Sequence, residues 1–544
     1  MLALLFFILA ANTITKIVRD SVFLSQHTAA ELPYLYLLSG FLAGLGIAVY
    51  SRYTSGFSLH QLMIGSLVFI TLSILVFWYL LAFHNTGWVH YAFYIWASTV
   101  FIVAIAQIWT FAEELFTPRE GKRLFGTLTA GGTLGGILGA FGAKWSMSHH
   151  LGTVHLLWLV VGLLVCALGV SRLATSRLRK ILSEPKKLQA PRSVPPIIEG
   201  VIRLLRHSPY LLSIGALILV SVIVSTLLDF QFKVAAKETY ASADGLTDFF
   251  ASYYGWLSVL TLFAGFALTG QLVSFFGLYP SLFILPVSLL LGSFGFLVFP
   301  GLSIATVMRM GDAGLRPTFY RSLTEMLYFP IPTSVKAKAK TFLDVVVERL
   351  GDASAGFIIL IVSLTGRPES STLVYCCMAL VLVWLTLLPS LRRGYLKALV
   401  SALTTRPSDF VTDNIDYQDK ATVDVIAKVL ESPDEESLLL GLQLAESLDP
   451  KAILAQLPRS LLRHPSPAVQ GRVLKLFSSC PDRRAVDEYL SGISRKDSPE
   501  PVIRQALAAT GKAKDPQRIK DAIIELHSQA AKSQTREVLI EYGE

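Results

Sequence analysis

The sequence predicts an all-α fold, a polytopic membrane protein of about twelve transmembrane helices followed by a C-terminal helical-repeat domain. Three observations predict it. Of the 544 residues, 53% are hydrophobic and only 16% are charged, against roughly 25% charged in soluble proteins. Nearly all long apolar runs lie within residues 1–391, whereas 405–544 has an ordinary soluble composition. Basic residues, finally, collect in alternate loops between the apolar runs.

The apolar runs set the number and positions of the expected spans. A membrane-spanning helix needs roughly 20 mainly apolar residues. The first fifteen residues have no preceding basic residue and no convincing cleavage site before Lys16, so they are interpreted as part of the first span and not as a signal peptide. Whether the chain extends further at either end stays open. The spans are expected at 2–24, 33–50, 61–83, 88–112, 124–145, 152–172, 210–228, 250–272, 279–299, 301–319, 341–363 and 372–391.

The distribution of Lys and Arg predicts the orientation. Basic residues mark cytoplasmic loops, which places both termini in the cytoplasm. On the opposite side, Lys233 and Lys237 are expected in a loop where acidic residues, including Asp229, outnumber them. The net charge of +9 therefore reflects membrane topology and does not indicate nucleic-acid binding.

The most basic segment, 173–209, divides the spans six and six. Two six-helix halves joined by a central cytoplasmic loop are the layout of major-facilitator-type transporters, whose substrates bind between the halves near the bilayer midplane. We expect an N-terminal half at 1–172, the central loop at 173–209, a second half at 210–397 and a repeat domain at 398–544.

The repeat domain is predicted from an internal motif. Ser432-Pro433-Asp434-Glu435 recurs as Ser466-Pro467-Ala468-Val469 and Ser498-Pro499-Glu500-Pro501, spaced 34 and then 32 residues apart, each time before an apolar-periodic helix. A Ser-Pro turn that opens a helix in a two-helix unit resembles HEAT repeats. Stacked units of this kind form a solenoid that usually binds a protein, so a cytoplasmic protein partner is expected.

Glycines recur at a spacing of four in the fifth span. Gly131, Gly135 and Gly139 share one face, with Gly132 and Gly136 beside them. We interpret the pattern as a surface for close helix packing in lipid. The alternative, a phosphate-binding loop, lacks the Gly-Lys-Ser/Thr sequence that such a loop requires.

Charged residues inside the spans are candidate functional residues, because ionisable groups are costly in a bilayer. In the first span, Lys16 and Asp20 are expected to pair, which leaves Arg19 available to an anion. The alternative is a helix that ends at Lys16, with the charges at the membrane surface. The cavity interpretation is preferred because Ser21 to Leu24 continue the apolar run.

Two further charged groups stand out. Arg309, Asp312 and Arg316 share one face of the tenth span, either as a structural network between the halves or as a cationic wall for an anion. Glu113 and Glu114 end the fourth span. Arg and Lys in a cleft suit phosphate or carboxylate groups, so an organic anion or phosphate-bearing substrate is expected.

No set of residues indicates enzymatic chemistry. The four cysteines have no metal-ligand spacing, and no nucleophile motif, metal motif or Walker lysine occurs. We therefore predict no catalytic residue, no metal, no cofactor and no ATP-driven pumping.

Three motifs resemble the ATP:ADP antiporters of plastids and intracellular bacteria. Lys16-Ile17-Val18-Arg19-Asp20 is similar to the family's Lys-x-x-Arg-Asp. Trp109 to Glu114 with Lys122-Arg123, and Ser322 to Ile331 with Lys338-Ala339-Lys340, Asp344 and Arg349-Leu350-Gly351, match its other motifs in order. The resemblance implies a major-facilitator-like nucleotide transporter in which Lys16, Arg19, Asp20, Glu114 and Lys340 contribute to transport.

The chain departs from that family at three motif positions. Glu113 replaces an Asn, Thr324 replaces a Lys, and Gly351-Asp352 replaces a Gly-Lys. Each change removes positive charge or adds negative charge where a polyphosphate would bind.

The expected function is therefore alternating-access exchange of nucleotides or related phosphorylated anions. The expected substrate-binding residues are Lys16, Arg19, Asp20, Glu114, Arg309, Arg316 and Lys340. The alternative is a membrane-anchored scaffold or sensor, whose mark would be a cleft plugged by side chains.

Overall fold

The computed structural model describes residues 1–53, 59–84, 86–115, 118–149, 151–178, 208–265, 275–331, 333–364, 370–405 and 435–445, with a few single residues between 272 and 476. Within these ranges the regular elements are all helical. The prediction of an all-α chain is confirmed.

The first described helices follow the first predicted spans closely. A short 3-10 segment, Ala29–Glu31, joins the first two helices. The helices are α1 (Leu2–Gln26), α2 (Leu32–Tyr53), α3 (Leu59–Phe83), α4 (Gly87–Leu115), α5 (Pro118–Ser148) and α6 (Leu156–Leu178).

Later helices of the described chain include two that continue through π-helical turns, at Arg316–Tyr320 and Leu343–Val347. The first of these turns contains Pro317, which cannot donate a backbone hydrogen bond. The helices are α7 (Pro209–Thr239), α8 (Ala243–Phe263), α9 (Leu278–Val298), α10 (Leu302–Leu315), α11 (Arg321–Leu327), α12 (Thr333–Phe342), α13 (Glu348–Leu364), α14 (Ser370–Thr405) and α15 (Glu435–Ala445).

Seven of the described helices are long and apolar enough to cross a membrane. These candidate spans are Leu2–Gln26, His60–Phe83, Gly87–Ala112, Thr153–Leu173, Pro209–Thr239, Leu278–Val298 and Ser371–Leu399. The chain is thus a multi-pass membrane protein, as its composition predicts.

The chain divides into two compact units. The first comprises Met1–Ser274, Leu282–Thr324 and Ala337–Pro389, and the second comprises Phe275–Ser281, Glu325–Lys336 and Ser390–Glu544. In the second unit, α15 begins at Glu435, the last residue of the first predicted repeat motif. Most of 398–544 lies outside the described residues, so the HEAT-like repeats and the domain boundaries stay predictions.

The glycines of α5 lie against α1. A Cβ atom added to Gly135 would lie 2.1 Å from the backbone oxygen of Phe6, and one added to Gly139 would lie 2.8 Å from that of Ala10. No side chain fits at these positions, because the two backbones are already in contact. The interpretation of the glycine stripe as a helix-packing surface is confirmed.

Two helices extend past the charged residues that the sequence placed near their ends. Helix α1 continues to Gln26, so the alternative of a helix ending at Lys16 is wrong. Helix α7 continues to Thr239, so the prediction that Asp229, Lys233 and Lys237 lie in a loop is also wrong. The helix does not end there because its charged side chains find partners on neighbouring helices and no Gly or Pro interrupts it.

Candidate functional site

A cavity of about 400 Å³ lies within the first unit, among helices of both predicted halves. This volume is in the range of small-molecule sites, about 300–1,000 Å³. Cationic side chains and tyrosines dominate its wall. It is lined by Lys16, Arg19, Tyr36, Ser39, Tyr94, Ser98, Ser225, Thr226, Asp229, Lys233, Tyr253, Tyr254, Leu257, Arg309, Ala313 and Asp352.

Arg19 forms a two-pronged ion pair with the next residue, Asp20. Its Nε lies 2.9 Å from Oδ1 and its Nη2 lies 2.9 Å from Oδ2. Its Nη1 donates to Oγ of Ser98 on α4 at 3.0 Å, and its Cζ lies 4.7 Å from the centre of the Tyr94 ring. The expectation that Asp20 pairs with Lys16 and leaves Arg19 free is wrong, because the planar guanidinium matches both carboxylate oxygens as a single ammonium cannot.

Asp20 is fully buried and gathers partners from three helices. Besides Arg19, it accepts a hydrogen bond from the Tyr254 hydroxyl of α8 at 2.9 Å. Its Oδ1 lies 3.4 Å from Nζ of Lys233 on α7. A buried carboxylate needs such partners because its desolvation is otherwise uncompensated.

Asp229 is the second hub of the charge network. It lies 2.8 Å from Nζ of Lys233 and 3.0 Å from Nη2 of Arg309 on α10. The Tyr36 hydroxyl of α2 donates to it at 2.9 Å. Lys233 also donates to the Tyr94 hydroxyl at 3.0 Å. These bonds join α7 to α2, α4 and α10.

Asp312, also fully buried, holds the two arginines of its own helix face. Nη1 of Arg309 lies 2.9 Å and Nε of Arg316 lies 3.0 Å from its carboxylate oxygens. Arg309 reaches the cavity, whereas Arg316 lies with its Cζ 5.7 Å from the ring centre of Trp384 and is not among the lining residues. The charged face of Arg309, Asp312 and Arg316 is thus a structural ion-pair network around Asp312, and it presents a cation to the cavity at Arg309.

Lys16 differs from the other lining cations. Among the described residues it makes no ion pair and no hydrogen bond through its ammonium group, although it lines the cavity. Arg19, Lys233 and Arg309 each contact at least one carboxylate. Lys16 therefore supplies a positive charge with which no described carboxylate pairs.

The remaining candidate residues are not part of this wall. Lys340 lies in the last turn of α12 and is not among the lining residues. The side chain of Glu114 lies outside the described residues. Of the residues predicted from the sequence, the structure joins Arg19, Asp20, Arg309 and Arg316 through one network of ion pairs, and it places Lys16 on the cavity wall beside that network.

Sequence reasoning missed several residues of the site. Asp229 and Lys233 are spaced four apart between apolar neighbours, a pattern typical of an ion pair on a continuing helix, and this signal could have found them. No sequence signal identifies the lining tyrosines, because they come from α2, α4 and α8 and meet only in the folded chain.

Comparison with family models identifies the family of the chain. The family model of the TLC ATP/ADP transporter matches residues 23–310 and 312–395, well over half of the chain. The chain belongs to this family. The resemblance drawn from the three sequence motifs is thereby confirmed.

Curated relatives are distant. The chain is 21% identical over 353 residues to ADP,ATP carrier protein 1 of Chlamydia muridarum, covering 57% of this chain and 66% of that protein. It is 22% identical over 353 residues to ADP,ATP carrier protein 1 of Chlamydia trachomatis, with the same coverage. The chain therefore spans just under two thirds of the length of these relatives.

The comparison with solved structures finds a nucleoside transporter and a sugar symporter. The nucleoside transporter NupG is 14% identical with a TM-score of 0.49, covering 73% of this chain and 98% of that one. A D-xylose-proton symporter is 16% identical with a TM-score of 0.47, covering 71% and 95%.

Proposed function

We propose that this protein is a secondary transporter that exchanges nucleotides or related phosphorylated anions across a bacterial inner membrane, with both termini in the cytoplasm. The observation that carries the proposal is the cavity wall, where Lys16 pairs with no described carboxylate and lies beside three further cations. The names of the chlamydial relatives, ADP,ATP carriers, support phosphorylated nucleotides as the substrate class.

The lining residues suit both parts of such a substrate. Lys16, Arg19, Lys233 and Arg309 offer ammonium and guanidinium groups to phosphate oxygens. The rings of Tyr36, Tyr94, Tyr253 and Tyr254 offer flat apolar surface with polar edges to a nucleoside. In this proposal Lys16, Arg19 and Arg309 contact the substrate, while Asp20 and Arg316 position those cations.

The ion pairs also suit alternating access. Asp20 of α1 and Lys233 of α7 belong to different predicted halves, and halves that rock around a central site must separate such contacts on one side. Glu114 and Lys340 remain proposed from the family motifs alone. A protein partner of the repeat domain is a separate proposal that rests on the sequence repeats.

The alternative of a purely scaffolding membrane part is disfavoured. Its mark would be a cleft filled by side chains, whereas the first unit contains a cavity of about 400 Å³ lined by four cationic side chains.

The test is counter-exchange in proteoliposomes. Purified protein is reconstituted into vesicles loaded with unlabelled nucleotide, and uptake of labelled nucleotide is measured. We expect uptake that depends on internal nucleotide and falls at least tenfold in Lys16→Gln. The matched control is Lys144→Gln, because Lys144 is 45% exposed and pairs with Asp248 outside the cavity wall. Absence of exchange for every phosphorylated anion, or equal rates in Lys16→Gln and wild type, would contradict the proposal.

A further inference from the structure

We infer that the cavity selects a dianionic phosphate monoester, such as a nucleoside monophosphate, over nucleoside di- and triphosphates. The inference rests on the proposed function and specifies its substrate. Three observations carry it: the charge balance of the network, the position of Asp352 and the buried hydroxyl of Tyr253.

The charged side chains at the cavity carry a net positive charge. Among the described residues, Asp20, Asp229 and Asp312 pair with four cations, Arg19, Lys233, Arg309 and Arg316, and Lys16 lines the cavity beside them. Five described cations therefore accompany three described carboxylates, which gives an excess of two positive charges.

A phosphate monoester matches this excess. It carries about −1.5 to −2 charges near neutral pH. When it binds, the cavity and its ligand become close to neutral. Each further phosphate adds roughly one more negative charge, for which the described residues of the cavity wall offer no further counter-ion.

Asp352 places a negative charge on the same wall. It lines the cavity, accepts a hydrogen bond from the Thr226 hydroxyl at 2.9 Å and lies 3.0 Å from Nη1 of Arg349. Since Arg349 neutralises it, the pair adds nothing to the balance. Asp352 itself nevertheless lines the cavity, and Arg349 is not among the lining residues. A polyphosphate chain that extends toward Asp352 meets a like charge.

Tyr253 places an uncharged hydroxyl group on the cavity wall, where a ligand can bond to it. Its side chain is only 4% exposed and lines the cavity, yet its hydroxyl has no hydrogen-bond partner among the described residues. The hydroxyls of Tyr36, Tyr94 and Tyr254 are already bonded to Asp229, Lys233 and Asp20 respectively. A buried hydroxyl without a partner is costly, and a sugar, base or phosphate oxygen of the ligand would satisfy it.

The test is calorimetric titration of the purified full-length protein with AMP, ADP and ATP in buffer containing EDTA. We expect AMP to bind about tenfold more tightly than ATP, with ADP between them. Adding Mg²⁺, which neutralises part of the ATP charge, should reduce the difference between the affinities for AMP and ATP. Tyr253→Phe should lower the affinity for all three ligands by a similar factor.

The decisive variant is Asp352→Asn, which removes the negative charge from the wall. We expect the ratio of ADP to AMP affinity to rise at least fivefold. The control is Asp248→Asn, at an exposed carboxylate of α8, and it should leave this ratio unchanged. ATP binding as tightly as AMP in the wild type, or an unchanged ratio in folded Asp352→Asn, overturns the inference and leaves the proposed function standing. Failure of all three ligands to bind also overturns the inference, and the exchange assay with other phosphorylated anions then decides the proposed function separately.

Discussion

Nζ of Lys233 lies 3.4 Å from Oδ1 of Asp20, although one residue belongs to α7 and the other to α1. Their side chains are 2% and 0% exposed. The same ammonium lies 2.8 Å from Asp229, so a single buried cation joins carboxylates from both predicted halves. The stability of the first unit and the geometry of the cavity therefore depend on the same charges.

Asp20→Asn should destabilise the protein strongly. The substitution leaves Arg19 and Lys233 short of a carboxylate in a buried site, and removing one partner of a buried pair typically costs about 3–5 kcal/mol. The measurement is the unfolding temperature in detergent. Asp248→Asn is the control, because its carboxylate is 55% exposed and 3.9 Å from Lys144. Equal unfolding temperatures for the two variants would show that Asp20 does not hold the network together.

Gly135→Ala should disrupt the packing of α1 on α5. The added methyl group would lie 2.1 Å from the oxygen of Phe6, so the helices must separate, at a cost of about 1–3 kcal/mol or more. Gly142→Ala on the same helix is the matched control, since nothing lies within 4 Å of its added Cβ. Thermal unfolding distinguishes them, and a stable Gly135→Ala variant would contradict the observed contact.

Arg309→Lys should lower exchange even though it keeps the charge. The guanidinium reaches Asp229 through Nη2 at 3.0 Å and Asp312 through Nη1 at 2.9 Å, and one ammonium cannot reproduce this fork. We expect at least a tenfold lower exchange rate in proteoliposomes. Arg321→Lys, at an arginine that is 51% exposed and pairs with Asp344, should retain the wild-type rate. A fully active Arg309→Lys variant would argue against a geometric role.

Glu31 should make stability depend on acid pH. Partial burial raises the pKa of this carboxyl, but hydrogen bonds from the Tyr91 hydroxyl and from Thr28 outweigh it and lower the pKa from 4.5 to about 2. A group whose folded pKa is depressed stabilises the fold above its unfolded pKa, and the contribution is lost as the pH falls from about 4.5 toward 2.

The corresponding measurement compares unfolding temperatures of wild type and Glu31→Gln across this pH range. The difference between them should be largest above pH 4.5 and should shrink on acidification. Glu238→Gln, an exposed carboxyl on α7, serves as control. A difference that stays constant down to pH 2 would show that Glu31 does not titrate as described.

The sequence predicted much of the membrane fold, because span length and apolar composition are local properties. It located α1 to α6 and the charged face of Arg309, Asp312 and Arg316 correctly. It misplaced Asp229 and Lys233 because hydropathy ends a span at the first charges, whereas partners on other helices allow α7 to continue to Thr239.

The pairing inside the site was less predictable than the helices. Residue spacing on α1 favoured an ion pair between Lys16 and Asp20. It carries no information about Ser98, Lys233 and Tyr254, whose contacts orient the Arg19 and Asp20 side chains. Helical periodicity describes neighbours on one helix only. Contacts among α1, α4, α7 and α8 are set by tertiary packing.

Protection of a cavity-lining cysteine tests most directly whether the transported substrate occupies the cavity. Ser39, which lines it, is changed to cysteine in a background lacking the four native cysteines, and the rate of thiol modification is measured in proteoliposomes. A transported nucleotide should slow modification at position 39 severalfold and leave Ser148→Cys, at the exposed end of α5, unaffected. Unchanged modification of Ser39→Cys during active exchange would place the substrate elsewhere.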